Sequence, residues 1–458
     1  MTIILRPYQQ DLIDRAREKL KSVRRLLIQA PTGSGKTALA ASITHGALQK
    51  NNSIMFCVHR HELMMQAAKA MDHFGIQYGF ISPKFTPKTH CMVQIAMIDT
   101  LRSRVDKVPI PNIFAVDESH HAVSPTYRKI IEHYHNNGSI ILGFTATPQR
   151  LDGKPLNDLF DDMVLGPSIK HLIALGHLAK YKYYAPPSLV DFTGMKKKFG
   201  DYDAKEQALR VDKPMVFGDA IQHYKRLLSG KRAIAFHINI KASQHFAAQC
   251  MSEGIPCKHV DGEMPASERA KAIKSFERGE TLILSNVALF GEGFDVPAVD
   301  AVILLRKTAS LSLYLQMCGR MMRPHDSKEC GIILDHMNSV ALHGLPDLDR
   351  EWSLEGENKA SKKKAQEVVA IRQCPRCYTV FVPSPVCPEC GFDMGPVPKE
   401  LEVIDVELQE IIDAQVKKDK RSEVGKARTL EDLNRIAVER GYKYGWSKRI
   451  FEARKNNK

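Results

Sequence analysis

The stretch LLIQAPTGSGKTALA, Leu26 to Ala40, constrains the fold more than any other part of this chain. Its apolar head reads as a buried strand, its glycine-rich middle as a tight loop, and its tail as the start of a helix. A strand that feeds a helix through glycines aims backbone N–H groups outward at a helix N-terminus, which makes an anion site. Gly33, Ser34 and Gly35 would cradle a phosphate, Lys36 would reach β/γ oxygens of bound ATP, and the Thr37 hydroxyl would ligate Mg²⁺. The general pattern G-x-x-x-x-G-K-[ST] asks for glycine six residues before the lysine, and Ala30 stands there instead. Alanine fits a strand exit if its φ stays negative, whereas the later glycines must approach phosphate closely.

Such a unit needs a parallel sheet around it. RRLLIQA, SIMFCVH, MVQIAMI, NIFAVDE and SIILGFTAT are short apolar runs of the kind buried on both sheet faces, with amphipathic segments such as HELMMQAAKAMDHF between them. A second series follows with RAIAFHI, CKHVDGE, TLILSNV, AVILLR and CGIILDH. The predicted fold class is α/β, with parallel-sheet domains over 1–165 and 215–345 joined by a connector over 166–214. A charged linker (346–370), a small cysteine module (371–395) and a basic C-terminal region (396–458) with helices at 401–415 and 429–440 complete the organisation.

The formal charge of +14 favours a polyanionic partner, most simply nucleic acid. From Gln415 to Lys458 there are 14 Lys or Arg against 6 Asp or Glu, so the excess is concentrated in the tail as a binding surface would be. No apolar run reaches the ~18 residues of a membrane span. The N-terminus MTIILRPYQQ has no basic n-region or cleavage site. A cytoplasmic protein with no membrane partner is expected.

IFAVDESHH closes an apolar strand with Asp117 and Glu118. An acidic pair at a strand end beside a phosphate-loop strand suits Asp117 to Mg²⁺ and Glu118 to polarising an attacking water. Read together, GSGKT and DESH resemble the P-loop and DExH box of superfamily II helicases and translocases, in which A-x-T-G-S-G-K-T is common, so Ala30 becomes a family marker. The resemblance implies two tandem RecA-like domains. LRPYQQ is similar to the adenine-recognising Q-type motif, implying base contacts from Arg6 and Gln9. VHRHELMMQ and AMIDTLRS resemble motifs Ia and Ib, implying nucleic-acid contacts from His59, Arg60 and Thr100. GFTATPQR resembles motif III, in which Thr145 and Thr147 would couple ATP state to domain closure.

SNVALFGEGFDVP resembles motif V, which implies nucleic-acid contacts from Ser285 and Asn286 and nucleotide contacts from Gly293 and Asp295. QMCGRMMRP matches motif VI, implying that Gln316, Arg320 and Arg323 face the ATP cleft, with the arginines as fingers. Within the superfamily the chain looks most like RadD-type and phage-encoded DEAD/DEAH helicases, with restriction-enzyme motor subunits as neighbours. That implies a bacterial or phage-infected cell.

CPRCYTVFVPSPVCPECG gives C-x2-C, nine residues, then C-x2-C. Cys374, Cys377, Cys387 and Cys390 have the spacing of a structural Zn²⁺ ribbon; a dithiol redox pair is the alternative. The other six cysteines are scattered singly, as reduced thiols would be. Tyr442, Tyr444, Trp446 and Phe451 interleave with Lys443, Lys448, Arg449 and Arg454, which fits base stacking or the core of a small helical domain. The expected function is an ATP-dependent DNA helicase acting on single-stranded, forked or duplex DNA, with protein partners at the ribbon or C-terminal region. A duplex translocase without unwinding, an RNA helicase and an ATP-switched DNA-structure sensor are the rivals.

Overall fold

The computed structural model describes residues 5–86, 88, 90–122, 124–148, 155–198, 201–287, 299–325, 328–355, 371–396, 429, 432 and 434. Gly293 and Asp295, the aromatic and basic tail, and nearly all of the two helices expected at 401–415 and 429–440 lie outside the described residues.

The first lobe is built on seven strands: β1 (Arg25–Gln29), β2 (Ile54–Val58), β3 (Gly79–Ile81), β4 (Val93–Met97), β5 (Ile113–Val116), β6 (Ile140–Thr145) and β7 (Asp162–Leu165). They pair in the order β3-β4-β2-β5-β6-β1-β7, every pair parallel. Side chains alternate across a strand, and both faces are buried here. Leu26, Ile28, Ile54 and Phe56 enter one apolar cluster, while Leu27, Met55, Cys57 and Phe114 enter the other. Helices α1 (Pro7–Lys19), α2 (Lys36–Leu48), α3 (His61–His73), α4 (Ile98–Arg102) and α5 (Pro125–Asn136) supply the covering layers. Because β5, β6 and β1 are neighbours, the loops at their carboxyl ends converge at one place, which is where open α/β sheets bind ligands.

The short α6 (Ile169–Ala174) leads to the second lobe, which has six strands in the order β12-β13-β11-β14-β15-β8, again all parallel. They are β8 (Tyr181–Tyr184), β11 (Ala233–His237), β12 (Cys257–Val260), β13 (Ile283–Asn286), β14 (Ala301–Leu305) and β15 (Gly331–Asp335). Between β8 and β11 lies the two-strand hairpin of β9 (Lys197–Lys198) and β10 (Asp201–Tyr202). The helices are α7 (Ala204–Val211), α8 (Pro214–Leu227), α9 (Ile240–Ser252), α10 (Ala266–Glu277), α11 (Leu311–Gly319) and α12 (Val340–His343). Part of the stretch read as a connector therefore belongs to this lobe. β8 holds the sheet edge because Tyr183 is fully buried and its hydroxyl donates to Asp335 Oδ2 at 2.8 Å.

Two further segments are tied down. Arg350 donates to the carbonyls of His343, Leu345, Pro346 and Leu348, and Leu354 O accepts from Leu156 N and Asn157 N at 2.7 and 3.1 Å. The opening of the segment read as a charged linker is thus a packed strap that returns from the second lobe to the first. The cysteine module forms the hairpin of β16 (Arg372–Gln373) and β17 (Val380–Phe381). It docks on β8, with Ala185 N donating to Tyr378 O at 3.0 Å and Lys182 paired to Glu389 at 2.7 Å.

Candidate functional site

The phosphate loop takes the strained backbone that its glycines permit. Gly33 and Gly35 both have φ +83, and Gly35 caps α2 in the left-handed conformation. Ala30 is not among the positive-φ residues, as the strand-exit reading requires. A Cβ on Gly35 would sit 2.6 Å from Gln9 Nε2, and one on Gly33 would sit 2.8 Å from Leu178 Cδ2, so the loop is tightly embraced. Ser34 points inward: its N–H and hydroxyl both bond Pro31 O, at 3.1 and 2.7 Å. The cradle is therefore left to the glycines and to the first amides of α2, which have no partner within a helix.

Gln9 does more than the sequence suggested. Its Oε1 accepts from Arg6 N at 3.0 Å, while its Nε2 donates to Ser34 O at 3.1 Å. Tyr8, which sequence reasoning passed over, donates to the same carbonyl at 2.6 Å and receives Arg6 Nη1 at 3.3 Å. The start of α1 thereby braces the loop from behind.

The acidic pair follows β5. Glu118 is 6% exposed and has φ 47, ψ 53, a left-handed conformation that costs a non-glycine residue roughly 1–2 kcal/mol. Strain of this kind is kept where a side chain must point one way. Glu118 Oε1 accepts from Lys36 Nζ at 3.2 Å, and Oε2 lies 3.4 Å from His120 Nδ1. The same His120 nitrogen is 3.2 Å from Thr145 Oγ1, which donates to Thr147 O at 2.9 Å. A polar line thus runs Lys36, Glu118, His120, Thr145, Thr147 across the ends of three adjacent strands. His120 was legible as the last letter of DESH, but its bridging role was not. Burial, reinforced by the Glu118 charge, pushes the Asp117 carboxyl well above its usual range, with Lys36 and His59 acting in the opposite sense.

The second lobe reaches this site through α11. A Cβ on Gly319 would lie 2.6 Å from Thr32 Cγ2, so the helix rests directly on the phosphate loop. Arg320 caps α11 and is 7% exposed; Arg323 is half-buried. Arg269 of α10 also pairs with Glu62 of α3 at 3.2 Å. Thr32 Oγ1 and both amide atoms of Gln316 are buried without a hydrogen-bond partner among the described residues. A cavity of about 30 Å³ lies here, lined by Gln29, Pro31, Thr32, Leu315, Arg350 and Trp352 among others.

The residues expected to touch nucleic acid divide sharply. His59 and Arg60 are half-buried at the end of β2. Thr100 is 7% exposed on α4. Ser285 and Asn286 are fully buried and bonded within the second lobe, Ser285 Oγ to Ser243 at 2.7 Å and Asn286 Nδ2 to Ala235 O at 2.9 Å.

The four cysteines come together. Each C-x2-C pair forms a knuckle, with Tyr378 N donating to Cys374 O at 2.9 Å and Gly391 N to Cys387 O at 3.0 Å, and with the residue after each pair at positive φ. Sγ atoms of Cys374 and Cys390, and of Cys377 and Cys387, are 3.6 Å apart, and all four lie within 4.8 Å of one another. Burial opposes ionisation of Cys374, but N–H groups of Cys377 and Arg376 overcome it and hold the thiol down at about 7.

Comparison with known proteins matches residues 2–150 to the type III restriction enzyme res subunit model and 219–325 to the helicase conserved C-terminal domain model. A 51.5 kDa protein of a Lactococcus phage is 34% identical over 393 residues, covering 85% of this chain and 83% of that one. The Saccharomyces cerevisiae "Putative ATP-dependent helicase IRC3" is 28% identical over 375 residues, covering 75% of this chain and 53% of the yeast protein. Among solved structures, a fragment of a "putative HsdR subunit of a type I restriction enzyme" from Vibrio vulnificus matches with TM-score 0.60 at 22% identity, over 76% of this chain and 68% of that one. The DNA-bound restriction-modification enzyme LlaBIII matches with TM-score 0.57 at 18% identity, over 73% and 28%. These structural likenesses speak to the fold alone. No helix among the described residues is long and apolar enough to cross a membrane.

Proposed function

Because this chain belongs to the superfamily II DExH-type helicases and translocases, ATP-hydrolysing nucleic-acid motors, we propose that it couples hydrolysis between its lobes to translocation and strand separation on DNA. The observation that carries this reading is the meeting of both lobes at one loop, Lys36 and Glu118 from one side and α11 with Arg320 from the other. DNA is favoured over RNA by the restriction-subunit match over 2–150, and a polyanion by the net charge of +14.

In the proposed cycle, Lys36 leaves Glu118 for the β/γ oxygens of ATP, and Glu118 is freed to orient and deprotonate the attacking water. Mg²⁺, held by Thr37 and Asp117, would neutralise charge on the same phosphates. Gly33 and Gly35 let the backbone approach the phosphates, while Arg6 and Gln9 shape the base end. Arg320 and Arg323 stabilise charge on the transferring phosphoryl, worth ~10³ or more in rate. Gln316 takes its unmet hydrogen bonds from the closed cleft.

His120, Thr145 and Thr147 relay the state of Glu118 to the lobe interface. His59 and Arg60 are the proposed backbone contacts, because Thr100, Ser285 and Asn286 are buried; Gly293 and Asp295 keep the nucleotide role their motif implies. The cysteine quartet is proposed to hold structural Zn²⁺: a tetrahedron of Zn–S bonds of ~2.3 Å has edges of about 3.8 Å, close to the 3.6 Å observed. Steady-state ATP turnover with and without single-stranded DNA tests the whole. Turnover should rise with DNA and collapse in Arg320→Ala; DNA-independent turnover would argue for a switch instead of a motor.

A further inference from the structure

Helix α8 carries Asp219 and His223 four residues apart, so both side chains leave the same face. His336, the first residue after β15 and 3% exposed, meets them from the sheet. Asp219 Oδ2 lies 3.4 Å from His223 Nδ1 and 3.1 Å from His336 Nδ1. The three side chains can present donor atoms within 4.8 Å of one another. None of these residues belongs to the nucleotide site or to the cysteine quartet.

Two details set this cluster apart from an ordinary ion pair. First, His223 Nδ1 is buried 3.4 Å from Asp219 Oδ2 without a well-aligned hydrogen bond. An orphaned buried polar atom costs roughly 1–3 kcal/mol, so a cluster serving only to seat a carboxylate would waste much of its own bonding. Second, the spacing fits a coordination polyhedron. Zn²⁺ bonds of ~2.0–2.1 Å to imidazole nitrogen and carboxylate oxygen give tetrahedral edges of about 3.3–3.4 Å, against the 3.4 and 3.1 Å found.

We propose that Asp219, His223 and His336 form a second metal site that takes a divalent transition ion, Zn²⁺ by its donor set, with water completing the tetrahedron. Two imidazoles and one carboxylate exclude the soft thiolate-seeking ions and disfavour the all-oxygen shells of Mg²⁺ and Ca²⁺. The site lies where the ribbon docks on the second lobe. The Tyr378 ring, next to Cys377, stands edge-on to His223 at 5.9 Å, and the Arg226 guanidinium lies 5.7 Å from the same ring. An ion here would pin α8 to the end of β15 directly beneath the first knuckle.

The test is the metal content of the full chain, purified without chelator and measured by plasma mass spectrometry. Wild type should carry about two equivalents of zinc, His223→Ala about one, and Cys374→Ser/Cys377→Ser about one. Cobalt substitution identifies which is which. The first equivalent gives intense thiolate charge-transfer absorption, whereas the second gives only weak visible bands, and His223→Ala removes only those. Saturation of wild type at one thiolate-bound equivalent, unchanged by His223→Ala, overturns the site. If His223→Ala does not fold by circular dichroism, the wild-type cobalt titration decides alone: a second, thiolate-free equivalent supports the site and its absence rejects it.

Discussion

Replacing Gly319 by alanine would place a methyl carbon 2.6 Å from Thr32 Cγ2 and 2.9 Å from Thr32 Cβ. Carbons at their van der Waals optimum sit ~3.5–4.0 Å apart, so α11 and the phosphate loop must separate by about 1 Å. Thr32 cannot relieve the clash by rotating, because its Cβ is fixed to the loop backbone. Arg320 is the next residue and moves with the helix, and a misplacement of ~1 Å can cost ~10²-fold in rate. DNA-stimulated kcat should therefore fall ~10–10²-fold. The gain of about 0.5–1 kcal/mol that alanine has over glycine in a helix offsets only part of that clash, so the melting temperature should not rise. A coupled ATPase assay beside a thermal melt separates the two effects. Thr32→Gly removes the three nearest atoms, so the double variant should regain turnover that Gly319→Ala lost. Wild-type turnover in Gly319→Ala would refute the assignment of this contact to the hydrolysing state.

Glu118→Gln keeps the shape but removes the base, so turnover should fall ~10²–10⁴-fold while binding of a fluorescent ATP analogue persists; equal loss of both contradicts the role. His120→Ala cuts the link between Glu118 and Thr145, and is expected to lower the ratio of DNA-stimulated to basal turnover more than basal turnover itself. An unchanged ratio would show that the line carries no coupling. Lys328 donates to the carbonyls of Val299, Met321 and Arg323 at 3.0, 2.6 and 2.5 Å, clamping the end of the arginine-bearing segment. Burial holds its ammonium down at about 8, against 10.5 for a free lysine. Between those values the unfolded chain holds a proton the native chain has released, so stability rises with pH there. The neutral amine has one donor fewer, so turnover should decline above pH about 8, and Lys328→Arg should lose that decline.

The strand-loop-helix reading of LLIQAPTGSGKTALA, the two parallel sheets and the cysteine knuckles were all legible, because each rests on local pattern: apolar runs, glycine placement and C-x2-C spacing. What escaped depended on long-range meetings. Nothing local in YKYY says that β8 will close the edge of the second sheet; that follows from Tyr183 finding Asp335 more than a hundred residues away. Gln9 was legible as a base contact, but that its amide also bonds Arg6 and Ser34 and braces the loop is geometry that only the folded loop defines. Ser285 and Asn286 sat in a motif suggesting outward contact, but both faces of the second sheet are covered, so these consecutive residues of β13 are buried and find internal partners. The Asp219, His223 and His336 cluster shows only half of itself in sequence, as D-x3-H on α8.

The proposed coupling has lobe closure driven by ATP separate DNA strands. It is tested most directly by strand displacement on a forked duplex labelled on one strand, with wild type and Lys36→Ala side by side. Wild type should release the labelled strand in an ATP-dependent way, and Lys36→Ala should release none. If wild type hydrolyses ATP on DNA and displaces a triplex-forming strand, yet leaves the fork annealed, the claim of unwinding is contradicted and the chain is a duplex translocase.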